Sequence, residues 1–580
     1  MSTVTVTING QTVDVPVNTT VLEAAKQIGI DIPKLCHLKD LNEIGACRIC
    51  VVEVEGRRNL PASCVLPVEE GMVVKTHSKR VLEARRMNVQ LMLSVHPQDC
   101  LKCVRNQNCQ LQALTHDLGV REGFPVDYDP TPLDQGAVIH RDPNKCILCR
   151  RCVTTCEQVQ GVTILGALER GIETVISPAW HGSLGDVSCT FCGQCVQACP
   201  VGAIYERNDT QIVWDMLNSE DYVVVQVAPA VRTALGEEFG LPAGTDVTGK
   251  MVTALRRLGF NKVFDTNFTA DVTIMEEGHE LLDRIGKQEL PLLTSCSPGW
   301  IRFVEEQYPQ LTKHLSTCKS PQQMFGALAK TYLAKEEKVD PKVIKTVSIM
   351  PCTAKKYEAE RPEMKDSGFR DVDAVLTTRE LALLMKQAGV QLDRLPEEEY
   401  DAPMGMSSGA AVLFGQSGGV MEAALRTLLA AYPERVKLVQ NDGVSQVLID
   451  GEQVEVKVVS GLSQARQVLE DIANGKNTAQ FIEIMACPGG CINGGGQPTV
   501  MDPELRQDVI AKRRSAIKDL DKAAAIAGSH ENPAVQRLYE TFLDHPLSSK
   551  SHHLLHTQYK PKVQDPVKNS HYDHTGTGAN

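Results

Sequence analysis

The sequence predicts a multi-domain protein of mixed α/β and α+β class, with small cysteine-rich modules followed by one large α/β domain. Three observations lead there. At 580 residues the chain is long enough for about three to five domains. Fifteen of its twenty cysteines lie in the first 199 residues, many in Cys-x2-Cys groups. Beyond about residue 211, apolar β-rich runs alternate with longer helical patterns, which argues for mostly parallel sheets covered by helices.

Hydrophobic residues make up 42% and charged residues 23%, enough apolar material to bury a core. A net charge of −12 argues against a nucleic-acid binder that relies on phosphate neutralisation. No stretch reads as a membrane span; the uncharged run Ala402 to Met421 carries five glycines and three serines. The N-terminus alternates Thr and Val with no basic or apolar export region, so a cytoplasmic location is expected. In a long chain without an export signal, closely spaced cysteines favour metal sites over disulfides.

Taken in order, Thr3 to Ile8 is a period-two strand, Asn9-Gly10 is a hairpin turn signal, and Thr12 to Val17 is the second strand. Thr20-Val21-Leu22-Glu23 is a capping box opening a helix that should stop near Gly29. Hairpin, helix and cysteine loop together suggest a β-grasp module over residues 1–79. Lys79 to Gln98 turns helical and basic, with Arg85 and Arg86 beside Leu82, Met87, Val89 and Leu91, and the Gly/Pro/Asp-rich residues 121–138 read as a connector. Strands are expected at Tyr222 to Val227, Leu290 to Leu293, Val347 to Met350 and Phe481 to Met485, with a helix at Gly418 to Leu429. The polar, Gly/His-rich tail 563–580 is expected to be disordered.

Four cysteine sets occupy the N-terminal half. Cys36, Cys47, Cys50 and Cys64 surround a tight loop; four thiolates suit zinc or iron–sulfur, and the β-grasp setting favours a 2Fe–2S centre. His96, Cys100, Cys103 and Cys109 form a one-histidine, three-cysteine set, with zinc as the alternative to 4Fe–4S. Cys146-x2-Cys149-x2-Cys152-x3-Cys156 and Cys189-x2-Cys192-x2-Cys195-x3-Cys199-Pro200 form the two-cluster bacterial ferredoxin run, in which each fourth cysteine serves the other cluster. One 4Fe–4S centre should take Cys146, Cys149, Cys152 and Cys199, and its neighbour Cys189, Cys192, Cys195 and Cys156. Four clusters in a row make an electron wire, and a wire implies a redox reaction at one end.

Five cysteines remain: Cys296, Cys318, Cys352, Cys487 and Cys491. Cys296, Cys352 and Cys487 each follow an expected strand, and sites in α/β sheets form outside the carboxyl ends of strands. Pro and Gly crowd the same loops, so backbone can approach a bulky ligand closely. Three stretches, Thr294-Ser295-Cys296-Ser297-Pro298-Gly299-Trp300, Met350-Pro351-Cys352-Thr353-Ala354-Lys355-Lys356-Tyr357-Glu358, and Glu483 to Cys487 continuing through Gly496-Gln497-Pro498, resemble the large catalytic subunit of FeFe hydrogenases.

The resemblance implies reversible heterolytic conversion of H2 and protons at an H-cluster, a 4Fe–4S unit joined to a di-iron unit with CO, cyanide and an azadithiolate bridge. It implies one 2Fe–2S and three accessory 4Fe–4S clusters, and domains at 1–79 (2Fe–2S), 80–138 (the His/Cys cluster), 139–210 (two 4Fe–4S) and 211–562 (catalytic). Cys352 and Cys487 would hold the cubane and Cys491 would bridge its two parts. Protons would pass from Cys296 through Glu277, Ser316 and Glu280 towards Arg284. Glu277, Glu280 and Arg284 share one helical face, for which an ordinary surface salt-bridge stripe is the other reading. Lys355 would donate to a cyanide, and Met350, Met485, Phe414, Pro321, Gln322 and Pro229 would wall the pocket.

Two departures stand out. Ser297 occupies a position where the family has a cubane-ligating cysteine, so Ser297, Cys296 or Cys318 could supply the remaining ligand, and thiolate suits iron better. Ala230 stands where many relatives have Ser, leaving a backbone amide for the cyanide. No GxGxxG or Walker-type loop is present, so nucleotide and flavin should bind elsewhere. The resemblance therefore implies a hetero-oligomer with flavin, NAD(P)-binding and 2Fe–2S subunits, passing electrons to NAD(P) and, by bifurcation, to ferredoxin. The alternatives are a monomeric ferredoxin-dependent hydrogenase and a non-catalytic iron–sulfur subunit; Cys491 and its Gly-rich loop speak against the latter.

Overall fold

The computed structural model describes residues 2–127, 130–441 and 444–562. The expected disordered tail, 563–580, lies outside the described residues. The first hairpin forms as the sequence dictates: strands Thr3–Ile8 and Gln11–Pro16 pair antiparallel, and Asn9 and Gly10 both take positive φ, 51° and 85°. Those angles suit a two-residue turn matched to strand twist. The capping box of helix Val21–Gln27 is complete, with Glu23 N donating to Thr20 Oγ1 (3.2 Å) and Thr20 N donating to Glu23 Oε2 (3.2 Å). Strands Met72–Lys75 and Glu53–Val54 complete a four-stranded sheet.

The helix expected over Lys79 to Gln98 ends at Leu93. Pro97 disfavours helical geometry at His96, so the chain leaves the helix before reaching it. Arg85 on this helix is buried and donates to the carbonyls of Ile49 (2.9 Å) and Val51 (3.0 Å), fixing the second module onto the Cys47–Cys50 loop. The described residues of 121–138 contain no helix and only an isolated bridge from Asp134 to Arg141, as expected of a connector. Strands Ile139–Arg141 and Ile204–Glu206 pair antiparallel and close the two-cluster segment on itself.

The large domain holds two parallel sheets. One runs Lys262–Asp265, Tyr222–Val227, Ile344–Met350, Ala374–Thr377, and the other Leu292–Leu293, Phe481–Met485, Val456–Ser460. The expected strand at Leu290 shortens to Leu292–Leu293; Pro291 has no N–H for a ladder. Helix Thr266–Lys287 is buried along most of its length and carries Glu277, Glu280 and Arg284, so the surface-stripe reading of those residues is wrong. Residues 506–562 wrap the domain with helices Arg506–Ala523, Pro533–Leu538 and Ser549–Leu555.

Asp265 starts the buried helix and also ties it down. Its carboxylate caps Asn267 N (3.0 Å) and takes a two-point bond from buried Arg232, at 3.0 and 2.7 Å. Asp265→Ala removes the cap and strands a buried guanidinium, so it is expected to cost about 3–5 kcal/mol. Glu422→Ala, on an exposed pair with Arg426, should change the unfolding midpoint little. Denaturant melts of the two variants read the contrast, and equal midpoints would contradict it.

Candidate metal centres and active site

None of the twenty cysteines forms a disulfide. Cys36, Cys47, Cys50 and Cys64 are buried together; the Cys50 and Cys64 sulfurs stand 3.3 Å apart, too far for a disulfide. Cys47 N points at Cys36 Sγ (3.5 Å). In the second set, burial leaves His96 Nδ1 without a hydrogen-bond partner among the described residues, which fits an imidazole meant for a metal. Burial above all, and the nearby Cys103, push the Cys109 thiol up, and Arg105 N points at Cys103 Sγ (3.5 Å).

Two internal cavities carry the crossed ligand sets. One is lined by Cys146, Cys149, Cys152 and Cys199, the other by Cys156, Cys189, Cys192 and Cys195. Burial pushes the Cys146 and Cys192 thiols up to about 11 and Cys149 to about 12, and raises Cys152, Cys156, Cys189 and Cys195 as well. Thiolates in such places need a cation, and a cluster's iron supplies it. The donor sets therefore fit iron–sulfur clusters.

Short polar contacts join the sets. Buried Asn42 donates to the carbonyls of both Cys36 (2.7 Å) and Cys149 (3.0 Å). Arg105, between Cys103 and Cys109, donates to Cys199 O (2.7 Å). The first and second sets thus both abut the Cys146 quartet. At the other end Cys192 lines its own quartet's cavity and a larger one in the large domain, where Cys487 Sγ lies 4.0 Å from Cys192 O.

That larger cavity sits where strands of both parallel sheets end. Its wall includes Pro229, Thr266, Cys296, Ser297, Pro321, Gln322, Met350, Cys352, Lys355, Phe414, Met485, Cys487 and Cys491. The glycine loop lets backbone close in: Gly490, at φ +93°, would place a Cβ 2.4 Å from Ser417 N. Cys296, Cys352, Cys487 and Cys491 in a mainly apolar surround form a place for a bulky cluster. Ala230 is buried behind this wall, its carbonyl accepting from Gln497 Nε2 (2.8 Å), and does not line it.

The two halves of the Cys296-Ser297 pair face different ways. Ser297 Oγ accepts from Ala486 N (3.4 Å), beside Cys487. Cys296 is near Glu277, Lys355 and Cys491, and burial above all pushes its thiol well up. Cys318 is absent from the wall; it is packed behind, 3.8 Å from Glu280 Oε2, which corrects its candidacy as a cubane ligand.

Behind Cys296 the expected proton carriers form a buried group. Burial, then the Glu280 charge, pushes Glu277 up to about 8. Ser316 Oγ donates to Glu280 Oε2 (2.7 Å) and interacts with Glu277. Arg284 donates to Glu280 Oε1 through Nε (3.0 Å) and Nη2 (2.7 Å). Sequence reasoning missed Glu358, which holds Lys355 (2.8 Å), Ser320 (2.8 Å) and Gln322 (3.1 Å); the Lys355-x2-Glu358 helical spacing was its only signal. Glu483 was missed as a group too; its carboxylate accepts from Gly418 N (2.7 Å) and Met421 N (2.8 Å) and starts the helix Gly419–Ala431.

Comparison with known proteins agrees with this arrangement. Residues 221–495 match the iron-only hydrogenase large subunit, C-terminal domain, and 507–562 the iron hydrogenase small subunit. Residues 1–79 match a 2Fe–2S iron–sulfur cluster binding domain. Residues 85–123 match the NADH-ubiquinone oxidoreductase-G iron–sulfur binding region, and 136–205 the ferredoxin-like domain of NADH-quinone oxidoreductase subunit 3. The NADP-reducing hydrogenase subunit HndD of Solidesulfovibrio fructosivorans is 49% identical, over 96% of this chain and 99% of its own. Iron hydrogenase 1 of Clostridium pasteurianum is 40% identical, over 96% of this chain and 100% of its own. A solved apo FeFe hydrogenase from Chlamydomonas reinhardtii superposes with a TM-score of 0.53 at 39% identity, covering 62% of this chain and all of that one. With full-length relatives at this identity and a cysteine-walled cavity at the end of a chain of cluster sites, the protein belongs to the FeFe hydrogenase family and is an oxidoreductase.

Proposed function

We propose that this chain is the hydrogen-converting subunit of an NAD(P)-linked hydrogenase, exchanging electrons between H2 and partner subunits. The observation that carries this is continuity: two cluster sites abut the Cys146 quartet, which leads through the Cys192 quartet to the cavity. The nucleotide link is supported by the NADP-reducing relative and by the two NADH dehydrogenase models matched in the N-terminal half. Among the described residues no helix is long and apolar enough to cross a membrane, which is compatible with the cytoplasm.

In this reading residues 1–79 hold a 2Fe–2S cluster, 80–138 a 4Fe–4S cluster on His96, Cys100, Cys103 and Cys109, and 139–210 two more on the crossed quartets. Residues 211–562 hold the H-cluster, which when bound supplies reversible heterolytic cleavage of H2. Cys352, Cys487 and Cys491 would hold its iron, Cys491 at the junction, with Ser297 as the fourth cubane ligand. Cys296 is then left free to move a proton to Glu277 and on through Ser316 to Glu280. Lys355, fixed by Glu358, offers a positive charge to an anionic ligand such as cyanide. Met350, Met485, Phe414 and Pro321 exclude water. Flavin, NAD(P) and further 2Fe–2S sites would lie on partner chains, with ferredoxin as a second acceptor in bifurcation.

Three outcomes are expected. The matured chain alone should reduce a viologen dye with H2 but not NADP+, and adding flavin-bearing partner chains should restore NADP+ reduction; NADP+ reduction by the chain alone would contradict the partner assignment. In the chain carrying only the cubane, Ser297→Cys should shift the Mössbauer signature of one iron site and raise the reduction potential. An unchanged spectrum in both Ser297→Cys and Ser297→Ala would remove Ser297 from the ligand set. Glu277 is held neutral when folded up to about pH 8 but ionises near its ordinary value when unfolded, so it costs stability progressively as pH rises between those points. Glu277→Gln should therefore melt like wild type at low pH, melt higher above pH 8, and lose H2 turnover; an equal gain at every pH would contradict this origin.

A further inference from the structure

Arginine does not give up its proton in a protein, so Arg284 can hold Glu280 but cannot carry a proton away from it. Two more of its donors are engaged, by Lys313 O (3.2 Å) and Leu315 O (2.8 Å). What else touches Glu280 decides where a proton goes. Its Oε2 lies 3.8 Å from the Cys318 sulfur, and that sulfur lies 4.0 Å from Nδ1 of His556. All three residues are buried. Cys318 and His556 are paired as an antiparallel backbone bridge, flanked by Lys319 N to Leu555 O (2.8 Å) and Thr557 N to Thr317 O (2.7 Å). Thiol and imidazole are thereby locked in register from opposite ends of the domain.

The other face of the imidazole is oriented as well. Nε2 of His556 lies 3.1 Å from Glu276 Oε2, and Glu276 is held by Tyr539 Oη (2.6 Å), Leu547 N (2.8 Å) and Ser551 Oγ. A carboxylate there draws the ring proton to Nε2, leaving the Nδ1 lone pair towards Cys318 and Thr317 Oγ1 (2.8 Å). The exposed ring of His552 stacks on His556, centroids 4.7 Å apart and planes within 5°. Both rings, with His553, Asp366 and Glu363, line a surface cavity of about 290 Å³.

We propose that Cys318 and His556 are the outward end of the proton path, with Arg284 a positioning residue for Glu280. The step balances without electron movement. A protonated Glu280 gives its proton to the Cys318 sulfur as the thiol's own proton passes to His556 Nδ1. The thiol is unchanged overall, Glu280 returns to carboxylate beside Arg284, and the imidazolium beside Glu276 releases its proton to solvent in the cavity. Burial and the nearby carboxylates of Glu280, Glu277 and Glu276 push the Cys318 thiol well up, so it holds the proton that the relay needs.

This rests on the hydrogenase function proposed above, and the test separates the two. H2 evolution by the matured full chain is measured in H2O and D2O for wild type, Cys318→Ala and His556→Gln, with the infrared bands of the cofactor as the integrity control. Each variant should turn over roughly tenfold slower, with a larger solvent isotope effect and unchanged bands. Added imidazole should restore His556→Gln but not Cys318→Ala. Rates within about twofold of wild type with an unchanged isotope effect would overturn the proposal, since general acid–base steps normally contribute far more. If His556→Gln fails to fold, Cys318→Ala, which removes only one buried thiol, decides by itself. An inactive, fully loaded wild type would remove the hydrogenase reading, and this inference with it.

Discussion

Two glycines, Gly193 and Gly495, set how the electron-transfer half meets the catalytic half. A Cβ on Gly495 would lie 2.3 Å from Cys192 O, and one on Gly193 would lie 2.6 Å from Thr353 Oγ1 and 2.8 Å from the Gly495 Cα. Backbone therefore touches backbone at the seam between the last cluster quartet and the cavity. Thr353 Oγ1 to Phe191 O (2.6 Å) and Gln194 Nε2 to Asn493 O (2.9 Å) hold it closed. Electron tunnelling falls steeply with distance, so this contact is what makes the cavity the end of the wire. The Cys-Pro-Gly-Gly-Cys and triple-glycine run serves the same end on the cavity side.

In the proposed function the catalytic domain keeps its two traffics apart. Electrons arrive at the Cys192 side, where Cys352 and Cys487 are found. In that reading protons leave past Cys296, which is near Glu277 on the long buried helix. That helix is buried along most of its length, Glu277 included. Burial, then the Glu280 charge, pushes Glu277 into the range where it can both take and give a proton near neutral pH.

Much of this was legible in the sequence. The Cys-x2-Cys-x2-Cys-x3-Cys pair follows the two-cluster ferredoxin pattern of crossed ligand sets, and the two cavities are lined by those same quartets. Asn9-Gly10, the Thr20 capping box and the strand at Phe481–Met485 were readable because they are local. What was hidden is long-range: Asn42 reaching Cys149 across 107 residues, Arg85 gripping the first cluster loop, and Cys318 paired with His556 across 238. A lone cysteine and a histidine near the C-terminus carry no periodic signal; only the fold brings them together. Pro291 and Pro97 shortened elements that hydrophobic pattern alone had extended.

The central claim is that the cavity at the joined ends of the two sheets is where H2 reacts. The most direct measurement is an infrared spectrum of the matured protein under H2 and then under CO. Metal carbonyl and cyanide bands that shift between the two gases are the expected result. A matured protein with intact iron–sulfur signals but no such bands, beside a positive maturation control, would contradict the account and leave the chain an electron carrier only.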